Sequence, residues 1–273
     1  MVASSTNRPL DFVLTAAELG YALEQYAPAI VIGFANPSQG MTTLDQTTLL
    51  SDAEADLRSR GLARAVPGKG VTLEPSLEHC ARLLARPHHT WLATLSQEKG
   101  LPQLRSIHQA RSEFLALEER VDHKWHMAVV PDAQGLATWL GSALQTQTST
   151  GSVSLNLRMA TTMLNQILEL VLQDQIEQAY QLITNLGLAA PSVERLWPAI
   201  HSPTARFTLL VFRNRHTPER AQTRGITVLM TSSDYWVLDS REATPDVVYL
   251  SSVDRATVLA RIDSLLKAEV DLA

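Results

Sequence analysis

The chain of 273 residues is 45% hydrophobic and 19% charged, a profile that supports a sizeable buried core and excludes a disordered polymer. Its 23 Lys and Arg against 28 Asp and Glu give a formal net charge of -5 and a pI of about 5.9, which disfavours nucleic acid and anionic lipid as partners. Cys80 stands alone and has no internal disulfide partner. The opening Met1-Val2-Ala3-Ser4-Ser5 lacks a signal pattern, and no window reaches the roughly 18 apolar residues of a membrane span, so a cytoplasmic protein is expected.

In chain order, Leu14, Ala17, Leu19 and Leu23 recur at helical spacing, and Thr15 precedes Glu18 as in a capping box, so a helix is predicted over 12–26. Residues 33–43 gather Gly, Asn, Pro and Ser and predict a loop. A helical stretch through Leu49 and Leu50 and on from Asp52 to Arg60 stops at Gly61, and the runs 62–66 and 71–73 flank Pro67-Gly68-Lys69-Gly70 as a small hairpin, the layout of a winged helix. Pro75 opens a helix whose Leu77, Cys80, Ala81 and Leu84 share a face, which places Cys80 in the core; Pro87 ends it.

Beyond Pro87 the period turns strand-like over 91–95, 104–110, 113–117 and 124–130, which predicts an antiparallel sheet. Asp132 begins a helix with Leu136, Trp139, Leu140 and Ala143 on one side, and the polar run 145–152 reads as a linker. A long helical pattern then runs from 157 to 186, as one helix or two, closed by Gly187 and exposing Gln166, Gln173, Gln175, Gln178 and Gln181 opposite its apolar face. That pattern fits a covering helix or a partner-binding one. A helix over 191–200, strands near 206–212, 226–231, 235–238 and 247–250, and a last helix over 254–267 complete the chain.

The second half repeats the element order of the first. Pro75-Ser76-Leu77-Glu78, Pro87 and Trp91 match Pro191-Ser192-Val193-Glu194, Pro203 and Phe207 at a constant offset of 116. Asp132, Leu136, Leu140, Ala143 and Leu144 match Asp254, Val258, Ile262, Leu265 and Leu266 at an offset of 122, and Gly61-Leu62 answers Gly187-Leu188. These matches point to an internal duplication. The expected architecture is α+β, with two related lobes in quasi-twofold symmetry, each an antiparallel sheet with flanking helices. The lobes are placed at 1–144 and 153–273, joined by a linker at 145–152.

Chemistry-bearing motifs are sparse. His88 and His89 are adjacent, and His123 and His126 are three apart with only Asp122 beside them. If extended, each pair splits across opposite faces, a poor arrangement for metal ligands. The sequence holds no G-x-S-x-G, C-x-x-C or H-E-x-x-H, and the glycine turn at Lys69 lacks the rest of a phosphate-binding loop. Glu118 and Glu119 diverge as neighbours. No catalytic, cofactor-binding or metal residue is assigned, and no cofactor is expected. Trp91, Trp125, Trp139, Trp197 and Trp236 are spread over both halves as core candidates. A DNA-binding regulator with a sensor lobe is one alternative. Its recognition helix would present Asp52, Glu54 and Asp56 to phosphates, against positive charge from Arg58, Arg60, Arg64 and Lys69. An enzyme of unrecognised type is the other.

The run RSRGLARAV, the run VTLEPSLEHCARLLARP and the junction Val130-Pro131-Asp132 resemble the EspG type of type VII secretion chaperone. The resemblance extends along most of the chain as an element pattern. It implies a quasi-twofold α+β fold and a cytoplasmic, non-enzymatic adaptor that binds a protein partner, a helical client. No client-contact motif carries over, so the resemblance names no binding residue.

Overall fold

The computed structural model describes residues 11–26, 31–68, 70–97, 102–120, 122–130, 135, 140, 144, 155–213, 222–240 and 246–270. The N-terminal half contains β1 (Asp11–Leu14), α1 (Ala16–Glu24), α2 (Thr43–Ser59), β2 (Ala63–Val66), β3 (Gly70–Leu73), α3 (Pro75–Ala85), β4 (His89–Gln97), β5 (Gln103–Ala110), β6 (Glu113–Glu119) and β7 (Trp125–Val130). The C-terminal half contains β8 (Asn156–Ala160), α4 (Thr161–Leu172), α5 (Ile176–Thr184), α6 (Ala190–His201), β9 (Ala205–Arg213), β10 (Gln222–Met230), β11 (Tyr235–Ser240), β12 (Val247–Val253) and α7 (Arg255–Val270).

Ten strands form one antiparallel sheet in the order β1-β7-β6-β5-β4-β9-β10-β11-β12-β8, while β2 and β3 pair as a separate hairpin. The order reads the same from both edges. Each half is a four-strand meander running outward from the middle, closed at the outer edge by the half's first strand. The halves are fused where β4 pairs with β9, and Ala93 faces Leu209 at the centre of that ladder. Ala93 and Leu209 are themselves separated by the offset of 116, so the ladder is symmetric about this pair. Counting outward through registered partners, Arg105 and Ile226, Glu118 and Asp239, and His126 and Tyr249 occupy equivalent places in the two halves.

Two segments differ from the helical expectation. Asp11–Leu14 is a strand before α1, and Asn156–Ala160 is a strand before α4. In each, alternate apolar residues, Phe12 with Leu14 and Leu157 with Met159, pack into the core below the outermost ladder. The ladder to a distant strand therefore overrides the local helical spacing. The remaining helical pattern of the second half is two helices, α4 and α5. The expected helix from Asp132 and the linker at 145–152 lie largely outside the described residues, although Leu140 and Leu144 are buried in the core.

Strand alternation sends the apolar side chains to two faces. One face carries a core that crosses both halves: Trp91, Ala93, Ile107, Ala116, Phe207, Leu209, Val228 and Val237, under Val258, Ile262 and Leu266 of α7 and Leu140 and Leu144. The opposite face is divided. Leu115, Leu117, Trp125 and Met127 pack under α1, α2 and α3, and Leu229, Trp236, Val248 and Leu250 pack under α4, α5 and α6.

Helix ends follow their local chemistry. Thr15 and Glu18 form the reciprocal capping box of α1. The C-terminus of α2 closes with Leu62 N–H donating to the Leu57 carbonyl and Gly61 N–H to that of Arg58. In this arrangement Gly61 takes φ +71°, which a side chain would resist.

Candidate protein-binding surface

Among the described residues the buried carboxylates Glu18 and Asp234 are each paired with an arginine. Glu18, 2% exposed, accepts from Arg60 at 2.6 Å, and Arg60 also donates to the Val13 carbonyl, which pins the end of α2 to α1 and β1. Asp234, at the start of β11, is held by Arg195 of α6 at 2.9 Å; Ser252 donates to it at 3.4 Å and receives Arg195 at 2.7 Å. The equivalent positions in the first half are His79 of α3 and Glu113 of β6, paired at 3.2 Å. The second-half pair is buried, with 25% and 6% exposure, and the first-half pair is open, with 44% and 52%. Sequence reading missed these pairs because their members are far apart in the chain.

The histidines singled out in the sequence do not converge. The His88 ring accepts from the Arg111 N–H, and His89 is buried against Gln109. His123 sits in a turn with φ +57° beside Glu119, and His126 in β7 pairs with Asp11 across the outer ladder. Among the described residues no group of three His, Cys, Asp or Glu side chains is placed to hold a metal. His108, fully buried, lies between Ser106 Oγ at 2.9 Å and Thr90 Oγ1 at 3.3 Å. Gly33 covers this Ser-His-Thr group so tightly that a Cβ there would lie 3.0 Å from Ser106, leaving no room for a substrate beside the hydroxyl. Cys80 is buried in α3, and burial, reinforced by Glu74 and Glu113, pushes its thiol up to about 12, which makes it an inert core side chain. The tip of the β2-β3 hairpin at Lys69 lies outside the described residues.

Several apolar and aromatic side chains are left accessible at the surface. On the divided face, Leu92 and Thr94 of β4 and Thr208, Leu210 and Phe212 of β9 are only half-buried and belong to neither helical cluster, so they form a strip between the two helix layers. Leu172, at the end of α4, is 87% exposed, and Leu44, in the first turn of α2, is 77% exposed. Tyr180 of α5, 40% exposed, meets Trp197 of α6 edge-on at 5.3 Å, and Trp197 stacks on His201 at 5.0 Å. Gln166, Gln173, Gln175, Gln178 and Gln181 are all exposed on α4, α5 and the turn between them. Exposed Glu169, Asp174 and Glu177 stand among these glutamines, and an amphipathic surface with aromatic anchors and polar groups has the character of a protein-binding patch. The four-residue spacing of Trp197 and His201 on one helix was the only sequence signal for the aromatic part.

The described residues form an EspG-like α+β fold. The type VII secretion system chaperone EspG5 of Mycobacterium tuberculosis, solved in complex with a PE25-PPE41 dimer, superposes with a TM-score of 0.66 at 12% identity, covering 92% of this chain and 93% of that one. At that identity the likeness establishes the fold. No family model matches the chain, and the search of curated proteins returns no match. Among the described residues no helix is long and apolar enough to cross a membrane.

Proposed function

We propose that this chain is a non-enzymatic protein-binding adaptor that holds a helical client in the cytoplasm, in the manner of a type VII secretion chaperone. The observation that carries the reading is a fold shared over nine-tenths of both chains with a chaperone whose structure is a complex with a protein dimer. The exposed Leu172, the Tyr180-Trp197-His201 stack and the half-buried β4-β9 strip supply contact surface of the right character. The exposed Asp52 and Asp56 of α2 weigh against the DNA-binding alternative, because they set negative charge on the helix before the hairpin. We further propose that lobes 1–144 and 153–273, joined at 145–152, arose by duplication, a reading that the mirrored strand order supports.

The test is an affinity capture from native host lysate at low salt, followed by co-expression and sizing of whatever protein is retained. A stoichiometric helical partner is expected for the wild-type chain. Leu172→Asp and Tyr180→Ala, both at exposed positions and so expected to fold normally, should weaken the complex about ten-fold or more. Capture of nucleic acid alone, or no retained partner, would overturn the adaptor reading.

A further inference from the structure

A cavity of about 590 Å³ lies on the continuous face of the C-terminal half, between α7 and the sheet. Its floor carries Asp239, Tyr249, Ser251 and Asn156, and its roof carries Arg261 and Ser264, which stand three residues apart on one flank of α7. That volume falls in the range of pockets that hold small ligands. Asp239 and Arg261, both half-buried, have no ion-pair or hydrogen-bond partner among the described residues, and they are not joined to each other.

The equivalent place in the N-terminal half shows how the same fold neutralises such charges when nothing else does. There Glu118, the counterpart of Asp239, accepts from Arg105 at 2.8 Å, and the neighbouring His126 pairs with Asp11. In the C-terminal half, Ile226 stands where Arg105 stands, Tyr249 where His126 stands, and Asn156 where Asp11 stands. At these three places the second half carries no charge; the one cation in the same row, Arg158, stands exposed where Val13 stands, beyond Tyr249, and the carboxylate is kept. A half-buried carboxylate facing a cavity without its cation is a cost unless a ligand supplies the charge, and the same holds for the guanidinium opposite.

We propose that this cavity binds a small zwitterion of free α-amino-acid type, with Asp239 accepting from the ligand's ammonium group and Arg261 donating to its carboxylate. A planar guanidinium suits a carboxylate through paired N–H donors. Ser251 and Ser264 are placed to bond the remaining polar atoms. Ile226 and Leu265 give the cavity apolar wall for a side chain. This site is independent of the client-binding reading and lies on the other side of the sheet from the β4-β9 strip.

The experiment is thermal unfolding and titration calorimetry of the full chain against the free proteinogenic L-amino acids one at a time, with the same compounds N-acetylated or amidated as controls. At least one free amino acid should raise the melting temperature in a saturable way, and blocking either charge should weaken it about ten-fold or more. Asp239→Asn and Arg261→Gln should each lose the response while unfolding, without ligand, where the wild type does, since neither group has a partner among the described residues. Glu118→Gln should do the reverse, unfolding earlier but still responding. No response from any amino acid, a response that survives both cavity variants, or an Asp239→Asn chain destabilised like Glu118→Gln would each overturn the assignment.

Discussion

Gly33→Ala isolates the contact between the loop after α1 and the middle of the sheet. Gly33 has φ +86°, and a Cβ there would lie 3.0 Å from both Cβ and Oγ of Ser106 and 3.2 Å from Leu92 Cδ1. The left-handed backbone costs an alanine about 1–2 kcal/mol, and the reduced freedom of the unfolded chain returns about 0.4–1 kcal/mol. The crowding adds about 1–3 kcal/mol, because Ser106 Cβ is fixed to β5 and the loop itself must move. The net expectation is a loss of about 2–4 kcal/mol. Gly40 provides the control: its φ is +81° and nothing lies within 4 Å of its would-be Cβ, so Gly40→Ala pays the backbone cost alone, about 1 kcal/mol. Urea unfolding of the two variants beside the wild type gives the difference directly. Phe34, which meets Trp125 edge-on at 5.1 Å, should also shift the native fluorescence of the Gly33 variant only. Equal destabilisation of the two variants would refute the close loop-to-sheet contact.

Removing the helix-side partner of the two equivalent ion pairs should give unequal results. Arg195→Ala removes the cation from buried Asp234 and should cost about 3 kcal/mol, whereas His79→Ala acts on a solvated pair and should cost less than about 1 kcal/mol; similar urea midpoints would contradict the burial difference. Cys80, with its thiol raised from 9.0 to about 12, should react with a thiol reagent at pH 8 roughly a thousandfold more slowly in the native chain than in urea. Because the folded state holds this proton more tightly, its contribution to stability is intact below about pH 9 and falls as pH rises from there toward 12. Rapid native labelling would show that Cys80 is not in the core.

Sequence alone determined the elements whose pattern is local. The stripe Leu77, Cys80, Ala81 and Leu84 between Pro75 and Pro87 defines α3, because helical period and proline punctuation need no distant partner. The four-strand runs of each half, their antiparallel order and the offset of 116 were legible for the same reason. Only the tertiary structure decided that β1 and β8 are strands. Their four and five residues gain ladder bonds from β7 and β12, far along the chain (Leu14 with Trp125, Ala160 with Val247), and nothing in Phe12-Leu14 or Leu157-Met159 announces that partner. It also decided that the two lobes share one sheet, since the β4-β9 ladder joins two apolar strands that would each pass for an edge or a centre. The contrast between Glu118 and Asp239 shows the limit most clearly. Both are acidic residues near the end of a strand, and whether such a carboxylate meets an arginine or a cavity is set by which strand lies beside it, a relation that register fixes and sequence spacing does not carry.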